Sequence, residues 1–230
     1  MGKTAILVDG AFFLKRYRKT YQQNDQPLSA EKIASDLYTM CFKHLDQDRG
    51  QRREKEAVQR ELYRIFFYDC VPLTKKVHYP VSKKSLDFAT TETAKIRLEL
   101  HRLLKQKRKV ALRLGHLSEF GGWEIKPQIL RDLLNGKKSF SDLADADFNY
   151  QVMQKTVDMK IGLDVASLAY KNLVDQIILI SGDGDFVPAA KLARREGVDF
   201  ILDPMHMNIS DVLSEHIDGL WSTCPRPRLA

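Results

Sequence analysis

The chain has 230 residues, 43% of them hydrophobic, with 37 Lys and Arg against 30 Asp and Glu, a formal charge of +7 with histidine neutral. This is enough apolar sequence for one full core, so a single domain over 1–230 with insertions at 20–60 and 115–150 is expected rather than two domains. No run of about 18 apolar residues occurs, so no membrane-spanning helix and no membrane partner is expected. The first ten residues, MGKTAILVDG, pass directly into a strand pattern, which makes a cytoplasmic location the expectation. Cys41, Cys70 and Cys224 are odd in number and lack ligand spacing, so they read as reduced thiols and suggest no zinc site. The positive charge suits a polyanionic partner but does not identify one.

The first strand is 5–8, Ala-Ile-Leu-Val, ending at Asp9-Gly10. A helix over 12–18 follows, with Lys15, Arg16, Arg18 and Lys19 on its exposed side, and then a polar loop over 22–28. Ser29-x-Glu31 opens a second helical stretch carrying Ile33, Leu37, Met40, Cys41 and Leu45. His44 here, and His101 further on, read as surface or core residues. The highly charged 46–60 reads as a solvated loop or helix edge. The second strand, 64–68, ends at Asp69 and leads into a loop with Lys75, Lys76, His78, Lys83 and Lys84. A loop at the carboxyl end of a parallel strand lies on the ligand side of an α/β sheet. Lys75, Lys76, Lys83 and Lys84 are therefore the preferred phosphate contacts, with a merely solvated loop as the alternative.

A helix over 91–106 places Ile96, Leu100, Leu103 and Leu104 inward, ahead of a third strand at 110–114. The basic run between them lies at the amino end of a strand, and its position at a helix C-terminus accounts for it. The 115–150 stretch reads as an insertion whose Trp123, Phe120 and Phe140 either stack on bases or pack a core. In the next helix, 156–170, Ile161, Val165, Leu168 and Ala169 recur at helical spacing, with Asp164 on that face and Asp158 flanking it. The β-branched run 177–180 then stops at Ser181-Gly182-Asp183-Gly184-Asp185, and a helix from Pro188 closes at Gly197. A last strand at 198–202 ends at Asp203, and a short helix is expected within 210–220.

Five carboxylates from three stretches, Asp9, Asp158, Asp164, Asp183 and Asp185, are thus candidates for one crevice. Asp is also a common helix cap and turn residue, so Gly-Asp-Gly-Asp alone is weak. G-x-G-x-x-G does not follow the first strand, which argues against dinucleotide binding, and Ala11 stands where a dehalogenase-like phosphatase needs its second Asp. VDG at 8–10, K-x-V-D at 155–158, the spaced Asp164 and SGDGDF at 181–186 resemble the NYN domain, a branch of the PIN-like nucleases, and particularly its bacterial LabA-like (DUF88) members. One departure is Phe12, where many NYN domains have Asn.

The resemblance implies an α/β fold, a three-layer αβα sandwich with a central mainly parallel sheet of PIN-like and Rossmann-like type. It also implies a metal-dependent nuclease that hydrolyses phosphodiester bonds, RNA before DNA, with Mg²⁺ or Mn²⁺ as cofactor. Asp9, Asp158 and Asp183 are the expected metal ligands, and Asp164 and Asp185 complete the catalytic set. Hard carboxylate oxygens suit these ions, and a metal lowers the pKa of a bound water. Ser181 is expected to orient a carboxylate or cap the turn, and Lys155 or Lys160 to balance charge, contact phosphate or sit exposed. The alternative is a non-catalytic RNA-binding or scaffold protein on the same fold, and a homo-oligomer stays open.

Overall fold

The centre of the molecule is a strand with no exposed position. In the computed structural model, which describes residues 2–21, 28–51, 60–118, 121–152 and 154–227, all five residues of the Gln176–Ile180 strand are buried. The chain runs β1 (Gly2–Asp9), α1 (Gly10–Thr20), α2 (Ala30–Gln51), β2 (Arg60–Cys70), β3 (Lys76–His78), β4 (Ser85–Asp87), α3 (Glu92–Gln106) and β5 (Val110–Leu117). It continues through β6 (Gly122–Ile125), α4 (Pro127–Leu134), β7 (Phe148–Gln151), β8 (Gln154–Lys155), α5 (Val157–Tyr170) and β9 (Gln176–Ile180). The last elements are α6 (Val187–Arg195), β10 (Asp199–Asp203), α7 (Asp211–Ser214) and β11 (Gly219–Leu220).

The main sheet has the order β11-β10-β9-β1-β2-β5-β8. Its first six strands are parallel, and β8 is an antiparallel edge. A parallel sheet with both faces covered reads as continuous apolar runs, as Ile177–Ile180 and Ala5–Val8 do. On one face, α1, α2 and α3 contribute Phe13, Ile33, Leu37 and Leu100 against Ile6, Val8 and Ile178. On the other, α5 and α6 contribute Ile161, Val165, Ala190 and Ala193 against Leu7, Leu179 and Leu202. The fold is the three-layer αβα sandwich anticipated from the sequence.

The chain leaves β1 toward β2 and β5 on one side, then returns to β9, β10 and β11 on the other. The reversal opens a crevice between the carboxyl ends of β1 and β9, the position at which open α/β sheets bind ligands.

Three segments bear on the expected boundaries. Within the 20–60 stretch, α2 supplies Ile33, Ala34, Leu37, Met40 and Cys41 to the core. The 210–220 helix is cut to the single turn α7, and β11 extends the parallel sheet beyond β10. Asp218 is the reason: its carboxylate accepts from the Phe200 amide and from Arg194 Nε, both at 2.8 Å, which holds this segment against β10. The 115–150 stretch carries an antiparallel β6–β7 pair with α4 between the two strands. The polar loop 22–27, the charged 52–59 and Phe120 lie outside the described residues.

Candidate active site

Asp9 is the last residue of β1 and the N-cap of α1, so its carboxylate is held at the crevice by the helix it starts. Oδ1 accepts the Phe12 amide at 3.0 Å, and Oδ2 accepts the Ser181 hydroxyl at 3.4 Å. Gly10 follows because nothing larger fits: a Cβ there would stand 2.5 Å from the Tyr68 carbonyl oxygen and 2.9 Å from the Phe67 ring. Burial pushes the Asp9 carboxyl up to about 6, the Phe12 amide opposes that shift, and the charge of Asp158 adds to it.

Asp158 reaches the same crevice from the first turn of α5. Thr156, which precedes this helix, has φ of 72°, a left-handed conformation that a β-branched residue adopts only under constraint from its surroundings. Asp158 is exposed, yet its carboxyl is raised by partial burial and then by the charges of Asp183 and Asp185. Asp183 caps the single-turn helix Gly184–Phe186 by accepting the Asp185 amide at 3.0 Å, and both side chains face solvent. Gly182 sits beneath, where an added Cβ would run into the Met207 methyl and the Phe12 ring. Phe12 therefore packs over this turn, where an Asn would have offered a polar group.

Asp158 is thus within electrostatic reach of Asp9 on one side and of Asp183 and Asp185 on the other, at the switch point. Among the described residues, none of the four has a Lys, Arg or His within 4.0 Å. Also among the described residues, no three His, Cys, Asp or Glu side chains are already gathered as a set able to hold a metal ion.

Asp164 does not join them. Six residues along a helix turn a side chain about 120° away from Asp158, and Asp164 accepts instead from Tyr68 Oη at 2.8 Å and Arg113 Nε at 2.9 Å. Lys160 is also committed, donating to the Leu114 carbonyl at 2.6 Å. The Lys155 side chain lies outside the described residues.

Two further strand-end carboxylates stand outside the cluster. Asp69, at the end of β2, bonds His101 Nε2 at 2.8 Å, with Arg97 Nε at 3.2 Å. Asp203, at the end of β10, bonds His44 Nε2 at 2.8 Å in a fully buried pair, and Thr223 also donates to it. Nothing in sequence spacing signals these pairs, because the partners lie 32 and 159 residues apart.

The lysine loop forms the antiparallel hairpin β3–β4. Lys76 faces Asp87 at 3.6 Å, and Lys83 Nζ donates to the Pro80 carbonyl at 2.7 Å. Asp145 accepts the amides of Val81 and Ser82 at 3.0 and 3.1 Å, and Trp123 Nε1 donates to the His78 carbonyl at 2.8 Å. Trp123 is packed between Tyr79 and Tyr150, at centroid distances of 5.1 and 5.2 Å, so it fastens the hairpin to β6–β7 rather than presenting a bare face for a base. Phe140 stays 75% exposed.

Residues 128–217 match the family model of the NYN domain, so this part of the chain is similar to that family. The match contains Asp158, Asp183 and Asp185 and leaves Asp9 outside it. No curated protein matches the chain. Among solved structures it is similar to a protein of unknown function from Vibrio parahaemolyticus, at 17% identity and a TM-score of 0.46, covering 96% of this chain and 92% of that one. Among the described residues, no helix is long and apolar enough to cross a membrane.

Proposed function

We propose that this protein is a metal-dependent nuclease that hydrolyses phosphodiester bonds, RNA before DNA, in the crevice between β1 and β9. The observation that carries this reading is the contrast among carboxylates. Asp69 and Asp203 are each hydrogen-bonded to a buried histidine, whereas Asp9, Asp158, Asp183 and Asp185 share a crevice with no cationic side chain near them among the described residues. Clustered carboxylates without a counter-charge repel by about 1–4 kcal/mol per close pair, so the crevice favours a cation.

Asp9, Asp158 and Asp183 are the residues that would hold Mg²⁺ or Mn²⁺, with Asp185 beside them. Their hard oxygen donors fit these ions. Such an ion neutralises phosphate charge and acidifies a water it binds. The chain's own part is positional: the Phe12 amide and the Ser181 hydroxyl orient Asp9, and the Asp185 amide orients Asp183. Lys75, Lys76, Lys83 and Lys84 on the anchored hairpin are the proposed contacts for flanking phosphates.

The test is cleavage of end-labelled single-stranded RNA and DNA with Mg²⁺, Mn²⁺ or EDTA. Metal-dependent cutting is expected, falling by about a hundredfold or more in Asp158→Asn and Asp183→Asn. Undiminished cutting by either variant would sink the assignment. The second reading, a non-catalytic nucleic-acid-binding or scaffold protein, is favoured by the lack of a gathered ligand set among the described residues. Binding without cutting under any metal would establish it.

A further inference from the structure

Apart from the carboxylate crevice, the surface between α1 and α3 carries a paired cleft. One cavity, of about 280 Å³, has an aliphatic floor that includes Leu14, Ile33 and Leu100, with Lys15, Arg18 and Arg97 at its sides. A second, of about 300 Å³, opens among Pro72, Leu73, Phe88 and Leu117. The two share Thr93 and Arg97, so α3 forms a common ridge between them. Among the described residues, no acidic side chain lines either cavity.

Arg97 Nε stands 3.2 Å from the Asp69 carboxylate beneath it, an ion pair without a hydrogen bond, and a fifth of its side chain stays exposed at the ridge. Lys15 and Arg18 are exposed one helical turn apart on the α1 face that also carries Ala11, two residues beyond Asp9. At its other end the cleft reaches the base of the lysine hairpin, where the Phe88 amide bonds the Lys75 carbonyl. The cleft therefore begins beside the carboxylates and ends beside the lysines.

We propose that this paired cleft is a second, non-catalytic binding site for an unpaired segment of nucleic acid. Bases enter the two apolar cavities, and the backbone crosses Lys15, Arg18 and Arg97. Alternating apolar and cationic surface matches a chain of alternating bases and phosphates, and only an unstacked strand can present its bases this way. A duplex offers phosphates alone. The proposal rests on the reading of the protein as acting on nucleic acid and adds where the strand runs and that it is unpaired.

The test is fluorescence anisotropy in EDTA with labelled oligomers of about 12 nucleotides, as single-stranded RNA, single-stranded DNA and the matching duplex. The proteins compared are the wild type, Lys15→Glu/Arg18→Glu, and Lys105→Glu/Lys171→Glu. The last pair makes the same charge change at exposed sites on the opposite edge of the sheet. The expected result is single-strand binding about tenfold tighter than duplex binding, weakened about tenfold by the cleft variant and less than about twofold by the control. The cleft variant should also lower the salt slope by about 0.7 for each phosphate contact removed. Equal duplex binding, equal losses in both variants, or equally effective competition by polyglutamate would overturn the proposal. Single-strand binding that depends on the cleft in a protein that never cuts would support the cleft and sink the nuclease reading. Cutting by a cleft variant that binds like the control would sink the cleft alone.

Discussion

Three strands of the sheet carry an Asp at or next to their carboxyl ends, and their surroundings give these residues different tasks. Asp69 and Asp203 are fully buried against histidine, whereas Asp9 is partly open and faces other carboxylates. The raised Asp9 carboxyl has a consequence for stability. In the native protein it titrates at about 6 against an ordinary 3.8, so between those values the folded state holds a proton that the unfolded chain has released. The stabilisation is complete below about 3.8 and is lost as pH rises through about 6, amounting to on the order of 2–3 kcal/mol. Asp9→Asn keeps the helix cap and removes the charge. In EDTA it should be more stable than wild type by about that amount at pH 7.5, with the gain shrinking toward pH 4. Urea unfolding at both pH values checks this, and an equal gain at both would show that charge is not the cause. Gly10→Ala should go the other way, costing about 1–3 kcal/mol, because the added methyl meets a backbone carbonyl that cannot move aside. A melting temperature unchanged in that variant would contradict the close approach.

At the scale of elements, the two Asp–His pairs tie α2 to β10 and α3 to β2 across the same layer. The His44 pair also reaches the C-terminal segment, since the Thr223 hydroxyl lies within hydrogen-bond distance of both Asp203 and the Met40 carbonyl. Removing one partner of a buried pair leaves the other unsatisfied, so His44→Ala should destabilise the fold by about 3–5 kcal/mol. Asp203→Asn should cost less, because its amide oxygen keeps the Met205 bond and its amide nitrogen, at the Oδ2 position, can donate to the His44 ring or the Thr223 hydroxyl oxygen. Neither change should alter cleavage per folded molecule, in contrast to Asp183→Asn. A loss of cutting in folded Asp203→Asn would move Asp203 into the catalytic set. The element that aims Asp158 is α5, whose left-handed Thr156 redirects the chain from the edge strand β8 into the helix.

Across the whole molecule, charge is distributed by edge. The carboxylates lie at the switch point of the sheet, and the hairpin extends from the same carboxyl edge, held by Asp145 and Trp123. Fixing the lysines on an anchored hairpin lowers the entropy lost when they meet a phosphate. Lys83→Glu/Lys84→Glu should therefore weaken nucleic-acid binding and flatten its salt dependence, while leaving the melting temperature nearly unchanged because both side chains are exposed. Affinity and salt slope equal to wild type would return the hairpin to a solvated surface.

The fold layers and most of the crevice were legible in the sequence, because they depend on local chemistry. Apolar runs such as 177–180 can only be buried strands, and a parallel sheet places every strand-ending Asp on one edge. Asp9, Asp183 and Asp185 could be named on that basis, and Asp158 from its place beside the apolar stripe of its helix. Which carboxylates stay available was decided by tertiary structure. Asp164 shares a helix with Asp158 yet is taken by Arg113 and Tyr68, and Asp203 is taken by a histidine 159 residues away. The short β11 and the α1–α3 cleft arise in the same way, from segments that meet only after the sheet forms. Residue type and spacing determine what a side chain can do, and long-range packing determines which partner reaches it first.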